Sequence, residues 1–140
     1  MEVFYIGALN GKRLYGMMSD ISTASTYKSD NTAGGGPSQS DGMVNTSVMT
    51  LPTNLMFYPA AVACKAVGVS YYLPARDELK LIWTNRETIN LSAKGINAAS
   101  YYWASTENSS NYAWNRIFNQ DYEHPTYWKD SSLRVRCIRR

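Results

Sequence analysis

The chain has 140 residues, two cysteines and a net charge of +3, enough length for one compact domain, residues 1–140, that buries a real core without metals or many staples. The charge is modest, and the four of fourteen basic residues gathered at the chain end make too short a patch for a nucleic-acid binder, which needs a longer one with a recognisable motif. No apolar run approaches the roughly 20 residues of a membrane span, and Met1–Ile6 has neither the basic n-region nor the small-residue cleavage site of a signal peptide.

In chain order, Val3–Ile6 and Arg13–Met18 are β-rich and are separated by a segment containing Asn10-Gly11, a strong turn signal, so an N-terminal hairpin is expected. Ser19–Thr50 is a long polar stretch rich in Ser, Thr, Asp and Gly. Its length reads as a functional or mobile loop. The triple Gly34-Gly35-Gly36 inside it lacks the Gly-Lys-Ser/Thr of a phosphate cradle and reads as flexible. Asn54–Val67 has helical character, with Pro59 early, alanines within and Gly68 where a C-terminal cap belongs. After a short strand, Tyr71–Leu73, a second helix begins at Arg76. Its Leu79, Ile82 and Trp83 fall at helical spacing and should face the core. Asp77 and Glu78 occupy the first turn, where carboxylates favour the positive end of the helix dipole. As neighbours they do not share a helix face, so they do not make an acid/base pair.

The tail, Tyr101–Arg140, differs in composition. Its apolar runs, Tyr101–Ala104, Tyr112–Phe118 and Leu133–Ile138, enclose a span crowded with Asn, Ser, Asp, Tyr and Trp rather than Val, Ile and Leu. That mixture suits a recognition surface carried on strands, with rigid aromatic contact area beside adaptable hydrogen-bonding groups. Arg134, Arg136, Arg139 and Arg140 close the chain and read as solvated charges on an edge strand. His124, the single histidine, has no nucleophile or second ligand near it in sequence and reads as a loop contact. Cys64 and Cys137 are far too widely spaced for a CxxC motif and lack companion histidines, so no metal site is expected. Buried thiols and a disulfide both remain open for them.

Tyr72-Leu73-Pro74-Ala75-Arg76-Asp77-Glu78-Leu79, then Tyr101-Tyr102-Trp103-Ala104-Ser105-Thr106-Glu107, Ala113-Trp114 and the terminal Arg134-Val135-Arg136-Cys137-Ile138-Arg139-Arg140 resemble, in order, motifs of the Lcl-C domain, the C-terminal domain of collagen-like adhesins. That family is close to the major paralogous domain of fibrobacters and is regarded as C-type-lectin-like. The resemblance implies an α+β fold in which two helices flank a small antiparallel sheet and a long loop region makes the binding face. It also implies that the first and last strands, Val3–Ile6 and Arg134–Ile138, pair, and that a disulfide joins Cys64 to Cys137. The calcium site of such lectins needs a Glu-Pro-Asn segment and a Trp-Asn-Asp triplet. Here Trp114-Asn115 is followed by Arg116 and the first segment is missing, so calcium-dependent sugar binding is not expected. No reactive thiol pair suggests the sulfatase-oxidising branch, and neither an enzyme nor a cofactor is expected.

Some members of this group are variable proteins of diversity-generating retroelements, in which template adenines are mutated so that Asn codons become Tyr, Ser, Asp, His, Thr, Ile or Leu. Residues of those types, namely Asn108, Ser110, Asn111, Tyr112, Asn115, Ile117, Asn119, Asp121, Tyr122, His124, Thr126, Tyr127, Asp130, Ser132 and Leu133, alternate with scaffold-like Trp103, Ser105, Thr106, Glu107, Ala113, Trp114, Phe118, Arg134 and Arg136. With Trp128 they form the expected ligand-binding set. Tyr112, Tyr122, Tyr127 and Trp128 would anchor, Asn111, Asn115, Asn119 and Asp121 would tune specificity, and Ile117 should be exposed opposite Phe118. The implied role is non-catalytic binding of a protein or glycan ligand on a cell surface, by a domain displayed on a cell or virion within a larger assembly. The alternative is a fixed adhesion module that grips a polyanionic glycan through Arg116, Arg134 and Arg136.

Overall fold

A computed structural model describes residues 2–140 as an α+β domain of nine strands and four α-helices arranged around two sheets. The first sheet starts as the expected hairpin, β1 (Val3–Leu9) and β2 (Lys12–Met17). Asn10 and Gly11 take φ values of 52° and 76°, the left-handed pair that lets a two-residue turn follow the twist of its strands. Alternation buries Phe4 and Ile6 and leaves Tyr5 outside. The sheet is completed by β4 (Tyr71–Tyr72) and β9 (Ile138–Arg139), in the order β1-β2-β9-β4. The terminal strands therefore do not pair. β2 lies between them, because β9 binds Tyr15 and Gly16 on one side and β4 on the other. Tyr5, Tyr15, Arg139 and Tyr71 consequently stand in one cross-strand row, with the Arg139 guanidinium 5.0 Å from the Tyr15 ring centre.

The second sheet has the order β3-β8-β5-β6-β7, built from β3 (Ser22–Thr26), β5 (Tyr102–Glu107), β6 (Tyr112–Ile117), β7 (Tyr122–Trp128) and β8 (Ser132–Val135). Only β5 and β8 run parallel. The polar stretch Ser19–Thr50, expected to be loop, supplies β3 and the helix α1 (Gly42–Met49). The triple glycine between them is packed in place. A Cβ on Gly36 would lie 2.3 Å from Asn45 Cγ and 2.4 Å from the Ser105 carbonyl, so glycine is there to allow close approach.

Helix α2 (Pro59–Val67) starts at its proline, with turns before it, and buries Ala60, Ala61 and Cys64. Gly68 follows it in an extended conformation that any residue could adopt. Helix α3 (Arg76–Thr84) buries Leu79 and Ile82 against the first sheet's core, where Trp83 also packs at the margin. A break at Asn85 separates it from α4 (Arg86–Ile89) and a short 3-10 turn. Glu78 is fully buried. Its carboxylate accepts hydrogen bonds from the backbone N–H groups of Ala75 and Gly42 and from the Tyr72 hydroxyl, tying the start of α3 to the start of α1. Burial still raises its pKa, against those hydrogen bonds.

The chain end passes from one sheet to the other. Between β8 and β9, Cys137 bonds to Cys64 of α2, and Arg136 is buried. Its guanidinium donates to the carbonyls of Met17, Lys94 and Gly95 and to the Asp20 carboxylate. Arg134 pairs with the same Asp20 at 3.0 Å. Arg134 lies on β8, flanked by β3 and β5, and Arg139 on β9, flanked by β2 and β4, while Arg136 sits buried at the crossing between them and Arg140 pairs with Asp41. The edge-strand reading of them is overturned.

Candidate functional site

The tail's surface rests on β5, a strand buried along nearly its whole length. Trp103 is completely enclosed, and its indole N–H donates to the Ser25 carbonyl at 2.8 Å. β6 pairs with β5 and carries β7, which is the edge of the sheet and includes Pro125. An edge strand tolerates a proline because one row of its backbone groups has no ladder partner.

The register decides which side chains share a face. Tyr112 lies opposite Trp128 and Ala113 opposite Tyr127, and successive residues of a strand point to opposite faces. The four expected aromatic anchors therefore split. On one face, the His124 ring lies 4.5 Å from Tyr127, 5.7 Å from Tyr101 and 5.8 Å from Tyr122, with Tyr101 and Tyr127 5.3 Å apart. Beside Tyr101 opens a shallow cleft of about 280 Å³, lined by Thr23, Ser100, Ser132, Leu133 and Arg134. Partial burial, then the neighbouring Tyr127 and Tyr122, push the Tyr101 phenol pKa upward. Tyr112 and Trp128 pack on the other face with ring centres 4.9 Å apart and planes tilted by 54°. Nearby, Arg76 lies over the Trp114 ring at 3.6 Å and donates to both oxygens of Glu123, at 2.8 and 3.3 Å.

Asn108, Ser110, Asn111, Asn119, Asp121, Tyr122, Thr126, Trp128, Asp130 and Ser132 are exposed, while Tyr112, His124, Tyr127 and Leu133 are half-buried. Asn115 and Ile117 are buried, at 0% and 6% exposure, and offer no contact surface. Asn115 through Phe118 are all enclosed, so both faces of β6 are covered here and alternation no longer separates inside from outside. Asn115 donates to the carbonyls of Ala113 and His124, which ties it to the underside of the hairpin. Asp121 is exposed but held by Lys80 at 2.5 Å and Arg116 at 3.0 Å, and these bonds lower its pKa.

Arg116 and Arg136 are each 2% exposed and already committed to carboxylates, so the three-arginine grip on a polyanion is overturned. The loop after β7 is pinned by Lys129, whose buried ammonium donates to Glu107 and to the carbonyls of Thr32 and Gly34. Burial lowers its pKa, with Glu107 opposing. The sequence reading missed Tyr101 as a member of the aromatic face, and Ser100 and Thr23 as lining of the cleft beside it. Tyr101 precedes β5 and meets His124 and Tyr127 of β7, while Ser100 and, from β3, Thr23 line the cleft beside it with residues of β8, so only the tertiary arrangement brings them together.

Among the described residues, no group of three or more His, Cys, Asp or Glu could hold a metal ion, and no helix is long and apolar enough to cross a membrane. The chain matches no protein-family model and no curated protein sequence.

Proposed function

We propose that this chain is a non-catalytic binding domain of C-type-lectin-like architecture, whose tail presents a surface diversified by a retroelement to a protein or glycan on a cell surface. The observation that carries the reading is the half-exposed cluster of Tyr101, Tyr122, His124 and Tyr127 on an edge hairpin backed by the enclosed Trp103. Large aromatic side chains held by a rigid support give contact area at low entropic cost. The separation of residue types also supports it. Ten of the sixteen expected contact positions are exposed, whereas Trp103, Ser105, Thr106, Ala113, Phe118 and Arg136 are buried. The disulfide from α2 to the chain end fits the lectin-like architecture and an oxidising destination outside the cell or on a virion.

The test is to sequence the Tyr101–Arg140 codons in many copies of the gene, together with the flanking DNA. A nearby near-copy with adenines where the gene copies differ, and changes confined to the exposed positions, is the expected result. An invariant tail without such a copy refutes diversification. In the protein itself, Tyr122→Ala and Trp128→Ala should each move Tm by less than about 3 °C, with Tyr122→Ala abolishing ligand capture and Trp128→Ala, on the opposite face, sparing it. A larger loss of stability would make these aromatics part of the core instead.

A further inference from the structure

Helix α1 buries polar groups beside its apolar Met49 and leaves other apolar side chains outside. Its polar Asn45 and Thr46 are buried, bonded to Ser38, Ser105 and Leu73, while Val44 and Val48, one turn apart, point outward at 50% and 40% exposure. The segment that follows continues this apolar surface with Leu51, Leu55, Met56 and Phe57, of which Met56 is 83% exposed. Successive turns fix the segment to the helix. Leu51 N–H donates to Val48, Asn54 N–H to Leu51 and Phe57 N–H to Asn54, and the Asn54 amide returns to the Val48 carbonyl. The six side chains are therefore presented in a set arrangement. No residue from Gly42 to Cys64 carries a charge.

Monomeric proteins rarely leave such a surface uncovered. The six residues expose on the order of 500 Å² of apolar area, near the upper end for the largest patch on a monomer. With a rim, the patch approaches the roughly 800 Å² per partner of a standard stable interface. Depletion of charge with enrichment of Met and Phe is the composition of an interface core, and of homodimer interfaces above all.

We propose that this surface binds the same surface of a second copy of the chain across a two-fold axis. Two features select that occupant. The chain carries a net +3, so two copies repel through most contacts, and an uncharged patch is where they meet without that repulsion. The patch also holds both halves of a self-complementary contact. Met56 is the projecting knob, and the recess is a cleft of about 520 Å³ lined on its apolar part by Val48, Phe57 and Tyr58 and elsewhere by Asn54, Thr32 and the oppositely charged Lys28 and Asp30, which pair with each other at 3.8 Å and leave the cleft without net charge. No residue of the patch belongs to the β6–β7 hairpin, so each copy keeps its aromatic face. Pairing would then offer two binding faces to one cell surface and raise avidity without new contacts.

The experiment is sedimentation equilibrium of the full chain with its disulfide intact, alongside Met56→Glu, Val48→Lys and, as a control on the tail, Tyr122→Ala. The wild type and the control should have twice the 15.7 kDa chain mass at micromolar concentration. The two patch variants should dissociate at least about a hundredfold more readily, with Tm unchanged because both side chains are exposed. A wild type that stays monomeric, an assembly other than a dimer, or a dimer indifferent to both substitutions overturns the proposal. So does a monomer that floats with phosphatidylcholine/phosphatidylglycerol vesicles, since lipid would then be the occupant.

Discussion

Replacing Arg136 with Met tests the view that the chain end is held by a buried ionic staple. The side chain is 2% exposed and donates four hydrogen bonds at the crossing between the sheets, to Asp20, Met17, Lys94 and Gly95 at 2.6–2.8 Å. Methionine fills much of the same volume but returns none of these bonds. The loss leaves Asp20 to Arg134, which is partly exposed, and to the Tyr102 hydroxyl, and removes the donor from the buried Met17 carbonyl and from the less enclosed Lys94 and Gly95 carbonyls. Removing one partner of a buried pair costs about 3–5 kcal/mol, and each buried polar group left unsatisfied costs about 1–3 kcal/mol, not additively. Burial of the methionine returns about 1–2 kcal/mol. A net loss of about 3–5 kcal/mol follows, a large share of the 5–15 kcal/mol typical of a domain, and should lower Tm by roughly 10–15 °C. Urea titration measures it as a fall in midpoint at constant slope. Arg139→Met is the matched control. Arg139 is half-buried, lies over Tyr15 and is joined by no ion pair among the described residues, so its loss should cost under about 1 kcal/mol. An Arg136→Met cost below about 1 kcal/mol would refute the reasoning, because Asp20 and the carbonyls would then be satisfied without the guanidinium.

Glu78→Gln should be tolerated, since the amide oxygen can still accept from Ala75 and Gly42 and the Tyr72 hydroxyl can turn to accept from the amide N–H. Because burial raises the Glu78 pKa in the folded chain, the folded state holds that proton more tightly than the unfolded one. Relative to Glu78→Gln, the wild type should therefore gain stability as pH falls through the folded-state value, with the gain complete below the ordinary 4.5, measured as the difference in urea midpoint across that range. An opposite slope would mean that the hydrogen bonds outweigh desolvation. Cys64→Ala removes a link that closes 73 residues. Chain entropy alone puts the cost at about 4 kcal/mol, and reduction of the wild type should reproduce most of it.

Local rules in the sequence were enough for several elements. Asn10-Gly11 fixes the hairpin because a two-residue turn needs two left-handed residues, Pro59 marks the first turn of α2, and the spacing of Leu79 and Ile82 gives the buried side of α3. The tail's composition also marked outward-facing positions, ten of the sixteen being exposed. Long-range pairing decided the rest. Asn115 and Ile117 are buried because both faces of β6 are covered there, and a period-two pattern reads only one covered face. The Tyr122–Tyr127 and Tyr112–Trp128 groups separate because the register of β6 on β7 alternates their faces. Arg116 and Arg136 are buried because Asp121, Asp20 and several backbone carbonyls, some distant in sequence, converge on them. A charged residue looks solvated in a sequence until its partner is placed beside it. Local conformational preference is written in neighbouring residues, whereas burial, charge pairing and shared faces depend on which distant strands meet, and that was decided only when the two sheets closed on each other.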